Sequence, residues 1–458
     1  MSLVDLPVEL LQKIIREHCN NKAIHALRLT CRDTCIAANE LLLRQHPIYD
    51  HKTHIEQLAE IAEGRADIRK GVKRFTFLID RLEPCNTFGG WNSARKRSFQ
   101  HGADQTYHIL RRIKANQPAP TDSELCKTLE RWHEENTLIE TWPKKMKTLA
   151  MDRYSRYREL VEYQAMLECN SNLRTRLSTF FAACPNLQHL HFSIKSSPQG
   201  RLLDRTFQSG LVIPKGDVDG GTFHFRETLL AAYDAKIIVK RLTINQLEHC
   251  ITEDPEWMRV KEIHQVLQHV EDLHWSFAQC QLMDTEPYMI MDDFHEAFAA
   301  GRMREVLMHC PKLRKLDFCG PDADSGQEDE NFPQLRHIVG EQYWDNLQDV
   351  SLSNIRSTAQ EFASFLLRHA PTLQSIYLCD FHLTEGDWGV CLGMIAGKLP
   401  LLRKVVLERS LSSVEHGGAD YWFDDSPSPD FPVDRLEPFV EWLIKGGQKS
   451  TVGSRGPA

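Results

Sequence analysis

The feature that most constrains this chain is a unit recurring at four places: an apolar helix-forming stretch, then Pro-x-φ-x-x-φ-x-φ, with φ a large apolar residue. The copies are Pro185-x-Leu187-x-x-Leu190-x-Phe192, Pro311-x-Leu313-x-x-Leu316-x-Phe318, Pro371-x-Leu373-x-x-Ile376-x-Leu378 and Pro400-x-Leu402-x-x-Val405-x-Leu407. The triplet φ-x-x-φ-x-φ alone says little, because a chain this long should contain on the order of ten by chance. With only 21 prolines in 458 residues, the chance expectation for the full pattern falls to roughly one or fewer. Proline ends a helix, and φ-x-φ reads as a strand with one buried face. Each copy is therefore a helix, a turn and a short strand.

Weaker copies without the proline start at Val72, Met146, Val239, Val270 and Leu347, and Leu347, Leu373 and Leu402 are 26 and 29 residues apart. That period is similar to leucine-rich repeats. One strand-helix unit cannot cover its own apolar side, whereas stacked parallel units bury it against each other. The expected fold over residues 176–445 is an irregular α/β leucine-rich-repeat solenoid, with parallel strands on the concave face and helices outside. Residues alternating with the core positions of the strands face the concave side. This nominates His191, Asp317, Ser351, Tyr377 and Val406 for contact with a bound protein. Interface hot spots favour exposed Trp and Tyr, which adds Trp388 and again Tyr377 near a strand end.

The early copies are widely and unevenly spaced, and the asparagine that usually follows the strand triplet is absent. Residues 46–175 accordingly read as a connecting helical region with early irregular repeats, a helix over 154–168 and a loop-rich insertion at 81–122. Within it, Thr121-x-x-Glu124 predicts a capping box opening a helix through Trp132. Residues 196–222, 320–331 and 412–434 read as loops, and 446–458 as a disordered tail.

The first 45 residues differ from the rest. Pro7 suits the first turn of a helix and Glu9 complements its dipole, and Leu10, Leu11, Ile14 and Ile15 follow at helical spacing. A short helix carries Ile24 and Leu27, and a third begins near Thr30 as N-cap, with Cys31, Cys35, Ala38 and Leu42 along one side. Leu6-Pro7-Val8-Glu9-Leu10-Leu11, followed by Leu27-Arg28-Leu29-Thr30-Cys31-Arg32, resembles an F-box, and with the repeats the chain is similar to fungal-type F-box proteins with degenerate leucine-rich repeats. The resemblance implies a small all-α module that docks on a Skp-type adaptor of a cullin ubiquitin ligase, through Leu6, Pro7, Leu10, Ile14, Leu29 and Cys31. Many members carry a large residue three after the cysteine; Thr34 stands there and implies a weaker contact. Three short helices bury little apolar surface by themselves, so a partner is expected to complete the core.

Composition narrows the function classes. The net charge of −8 gives no general attraction to nucleic acid or anionic lipid, and apolar residues at 41% with charged residues at 26% fit a soluble globular chain. No apolar run approaches the ~20 residues of a membrane span, and the N-terminus lacks a leader pattern, which points to the cytoplasm or nucleus. Thirteen scattered cysteines read as reduced thiols rather than a disulfide framework. His46, His51, His54 and His133-Glu134-Glu135 lack metalloprotease spacing, Cys31 and Cys35 lack a second zinc pair, and no phosphate-binding or nucleophile-elbow motif occurs. No cofactor, metal or catalytic residue is expected. Arg95-Lys96-Arg97 and the acidic 322–330 stretch read as solvated runs. The expected activity is that of a non-catalytic receptor which holds a protein substrate beside the ligase; the alternatives are a repeat scaffold outside any ligase and an uncharacterised hydrolase or metalloenzyme.

Overall fold

The structure, a computed structural model of the chain, describes residues 8–19, 21–42, 47–49, 52–78, 85–93, 144–169, 172–193, 220–245, 255–277, 295–321, 332–413, 421–423 and 436–446. Ten strands form one sheet in chain order: β1 (Pro47–Tyr49), β2 (Arg74–Leu78), β3 (His189–Ser193), β4 (Arg241–Asn245), β5 (Asp272–Ser276), β6 (Lys315–Cys319), β7 (Asp349–Thr358), β8 (Ser375–Glu385), β9 (Lys404–Ser413) and β10 (Tyr421–Phe423). Every neighbouring pair from β1 to β9 is parallel, and β10 returns antiparallel along β9. Helices connect successive parallel strands, which makes an α/β solenoid-like array.

All four proline-marked copies fold as expected, into β3, β6, β8 and β9, and the weaker copies at Val72, Val239, Val270 and Leu347 become β2, β4, β5 and β7. The register is unbroken at the strand cores: Phe75, Leu190, Leu242, Leu273, Leu316, Val350, Ile376 and Val405 pair in sequence. All eight are buried, in one continuous apolar core. The copy at Met146 is different. It lies in a helix, Lys144–Cys169, because Met146 and Leu149 are three apart and fit one face of a helix as well as they fit a strand start. That helix begins ten residues before the expected 154.

The N-terminal helices are α1 (Val8–His18), α2 (Asn21–Leu27) and α3 (Arg32–Leu42), followed by α4 (Lys52–Glu63) and α5 (Ala66–Gly71). Leu11, Ile15, Ile24, Ala37 and Ala38 form a small core of their own, separate from that of the array. The third helix starts at Arg32 rather than Thr30. Thr34 lies inside its first turn, 4% exposed, and its hydroxyl accepts from Cys31 N–H at 3.2 Å. A part-buried polar chain joins this unit to the array. Arg28 Nε donates to Asn39 Oδ1 at 2.7 Å, and Asn39 Nδ2 donates to Asp67 of α5 at 3.0 Å. Arg65 also grips Asp67 with two nitrogens, and that hydrogen bond, ahead of the one from Asn39, holds the Asp67 carboxyl below its ordinary pKa.

Continuing in chain order, α6 is Lys144–Cys169, α7 Asn172–Ala183, α8 Gly220–Asp234, α9 Lys261–Leu267, α10 Arg302–Met308, α11 Leu335–Ile338, α12 Ala359–Arg368, α13 Trp388–Ile395 and α14 Leu436–Lys445. Local chemistry sets the later boundaries. Thr358 and Glu361 form a reciprocal capping box at α12, and Asp387 caps α13 by accepting from Val390 N–H at 2.9 Å. The His369-Ala370-Pro371 turn is locked from inside. Wholly buried His369 donates from Nδ1 to Phe365 O at 2.9 Å, accepts from Trp344 N–H at 3.2 Å, and stacks on Tyr343 and Trp344. Burial lowers its pKa and keeps the ring neutral.

Other expectations need correction. The loop at 412–434 holds the end of β9 and all of β10. Within the insertion at 81–122, residues 88–93 are helical, and Trp91 packs against Tyr154 and Tyr157 of α6. Burial of the indole orders a segment that has little apolar periodicity. The predicted helix from Thr121 to Trp132, Arg95-Lys96-Arg97, the acidic 322–330 stretch and residues 447–458 lie outside the described residues.

Candidate functional site

On the face of the sheet away from the helices, the parallel register aligns side chains into rows. The central row is Thr76, His191, Thr243, His274, Asp317, Ser351, Tyr377 and Val406, one from each strand from β2 to β9. Five of the six residues nominated for substrate contact are consecutive or nearly consecutive members of this row. The row before it is Arg74, His189, Arg241, Asp272, Lys315, Asp349, Ser375 and Lys404. His274, Asp317, Ser351 and Tyr377 of the central row, Lys315, Asp349, Ser375 and Lys404 of the row before it, and Ser193, Asn245, Ser276 and Cys319 from the following row bound a groove of about 1050 Å³.

Hydrogen bonds across the strands tie the rows together. Arg74 donates to Nδ1 of His191, and the Asn245 side-chain amide lies 3.1 Å from Nε2 of the same ring. Ser276 Oγ also bonds Asn245, at 3.2 Å. His189 meets the Thr243 hydroxyl at 2.9 Å. His274 lies 2.8 Å from Asp317. Burial opposes ionisation of Asp317, but the hydrogen bond and charge of His274, with help from Ser351, outweigh it and hold the carboxyl below its ordinary pKa. Tyr377 donates to Glu408 at 2.6 Å, and burial first, then that carboxylate, raise the phenol's pKa.

The two histidines of β3 are unlike ordinary surface histidines. Burial, then the charge of Arg74, lowers His189 to about 3 and His191 to about 4. Both rings are neutral at physiological pH and act as fixed hydrogen-bonding groups. Sequence alternation placed His191 on this face correctly, whereas Arg74, His189, Asn245 and His274 were missed; the same alternation, carried one residue earlier in the Pro185 copy and applied to the weaker copies, would have found them.

Trp388 is not on the surface. It is 2% exposed, packs on Phe362 and Phe381, and donates from Nε1 to Ser412 O at 3.0 Å. It opens α13 rather than ending β8, and its amphipathic ring fills the space between that helix and the sheet. Val406 and Ser351 remain partly exposed.

A second surface lies on α1 to α3. Leu10 is 50% exposed, Ile14 37% and Leu29 88%, while Leu11 and Ile15, one position on, are buried. Cys31 is half-buried, its sulfur 3.1 Å from the Thr34 hydroxyl. Leu6 and Pro7 lie outside the described residues.

Among the described residues no group of three or more His, Cys, Asp and Glu side chains is placed to hold a metal ion. The thiols of Cys184, Cys310 and Cys391 are buried within the core and pushed up to about 12 by that burial. Among the described residues no helix is long and apolar enough to cross a membrane. No protein-family model matches the chain, and no curated protein matches it in sequence.

Proposed function

We propose that this chain is the substrate-recognition subunit of an SCF-type cullin ubiquitin ligase, with an F-box over residues 1–45 and a degenerate leucine-rich-repeat solenoid behind it. The observation that carries the reading is the division of the first helices into two apolar sets. One set makes the unit's core of five buried residues, and the other, Leu10, Ile14 and Leu29, faces solvent. Large aliphatic side chains at i and i+4 on so small a unit are what a docking partner would cover. In this reading a Skp-type adaptor takes Leu6, Pro7, Leu10, Ile14, Leu29 and Cys31, and the polar groove holds a protein substrate. Thr34 turns inward and caps its own helix, so the large contact that other members offer at that position is missing.

The chain's contribution is then effective concentration and orientation: it keeps the substrate beside a charged ubiquitin-transfer enzyme and makes no covalent bond itself. Cytoplasm and nucleus are the compartments in which such a receptor acts. Co-purification of the full chain with a Skp-type adaptor tests the reading. Binding that is lost with Leu6→Ala and Pro7→Ala supports it, and no binding, or binding untouched by the double change, defeats it.

A second reading has its own observation. The Arg28–Asn39–Asp67 chain fixes α3 onto α5, as expected if the first helices only cap the array of a scaffold outside any ligase. The same co-purification separates the two.

A further inference from the structure

On the same sheet face, beyond the residues that bound the groove, the guanidinium of Arg74 has no ion-pair partner among the described residues. Arg74 is half-buried on β2, and its Nε is shielded from solvent without a hydrogen-bond partner among the described residues. Its Nη2 is held by the neutral ring of His191. The other cation acting on it is Arg241, on the next strand but one; burial first, then that charge, depresses the Arg74 guanidinium.

The nearby carboxylates are engaged elsewhere. Asp272 takes Arg241 at 2.6 Å, and Asp317 takes His274 at 2.8 Å. The surrounding Thr76, Thr243, His189 and His191 are neutral hydrogen-bonding groups already fixed by one another. A positive charge that is partly desolvated, held in place and left uncompensated favours an anion with two oxygens, to which the guanidinium fork is matched.

We propose that the β2–β4 end of this sheet face, beside the groove, is an anion subsite, where Arg74, with Arg241 beside it, takes the carboxylate or phosphate of one side chain in a bound peptide. The proposal rests on reading this sheet face, the groove included, as the substrate-binding surface. A peptide suits it better than a nucleic acid. Asp272, Asp317, Asp349 and Glu408 lie further along the same rows, and a strand with a phosphate on every residue would run into them, whereas a peptide with one anion in register would not.

The test is a titration of fluorescent degenerate peptides, alike except for a central serine, glutamate or phosphoserine, into the full chain. Adaptor binding and melting temperature are measured on the same preparations. The glutamate or phosphoserine pool should bind at least about tenfold more tightly than the serine pool. Arg74→Gln should abolish the preference at an unchanged melting temperature, and Arg74→Lys should keep part of it. A preference for phosphoserine over glutamate identifies the anion as phosphate, and equal binding identifies it as carboxylate. No preference, a preference that survives Arg74→Gln, or Arg74-dependent binding of single-stranded RNA in place of peptide overturns the proposal. If the adaptor does not bind while the Arg74-dependent preference holds, the ligase reading falls and the subsite remains.

Discussion

Changing Leu10, Ile14 and Leu29 to alanine together probes the proposed adaptor surface without touching the core beneath it. Leu29, at 88% exposed, has nearly a whole side chain left to bury, while Leu10 and Ile14, at 50% and 37%, have half or less. Full burial of a large aliphatic side chain contributes about 1.5–3 kcal/mol. Scaled by what is exposed, and with the methyl that alanine keeps, the triple change should cost about 3 kcal/mol of adaptor binding, a rise in Kd of about 150-fold. Calorimetric titration of the full chain with a purified Skp-type adaptor measures this directly. The melting temperature should stay where it was, because Leu11, Ile15 and Ile24 are untouched; Leu11→Ala, by contrast, removes a side chain only 1% exposed and should loosen the unit itself. If the wild-type chain binds and the triple variant binds within about threefold of it, the surface has been misread.

Other consequences follow from the array. Leu316→Ala, at a fully buried central strand, should lower stability by about 2–5 kcal/mol in urea unfolding; a loss under ~1 kcal/mol would mean the strands do not share one core. Gly320→Ala would set a Cβ 2.4 Å from the Asn354 carbonyl oxygen, and should cost about 1–3 kcal/mol by forcing β6 and β7 apart, which the same unfolding curve reads. His189 and His191, at about 3 and about 4 in the folded chain against an ordinary 6.5, refuse protons that the unfolded chain accepts. Their contribution is therefore complete above pH ~6.5 and shrinks as pH falls toward 4. Urea midpoints should drop less steeply over that range with His189→Gln and His191→Gln, and an unchanged slope would count against the assignment. Thr34→Val keeps the shape but removes the hydroxyl that accepts from Cys31 N–H, so the melting temperature of the isotopically labelled Cys31 region should fall, at a cost of about 1 kcal/mol; an unaltered melt would show the cap to be idle.

Period and alternation were enough to place eight strands, their buried residues and five members of the central row, because those signals depend only on neighbours along the chain. A φ-x-φ strand must turn one face to a core wherever it pairs, so Leu190 and Leu316 were readable as core and His191 and Asp317 as surface before any partner strand was known. The signal fails where two local patterns coincide. At Met146 the spacing suits helix and strand equally, and only packing with Trp91 and its neighbours against the same helix decides between them.

The rest was decided by tertiary structure, since burial and charge compensation belong to residues that meet from distant parts of the chain. Trp388 looked like an exposed anchor and is core, because α13 folds it down onto Phe362 and Phe381. Thr34 turned inward because its hydroxyl has a backbone partner within its own turn. Arg74 was an ordinary surface arginine in the sequence. Only the parallel register, which brings it beside His191 and within reach of Arg241's charge while Asp272 is taken elsewhere, leaves it without a counter-ion among the described residues.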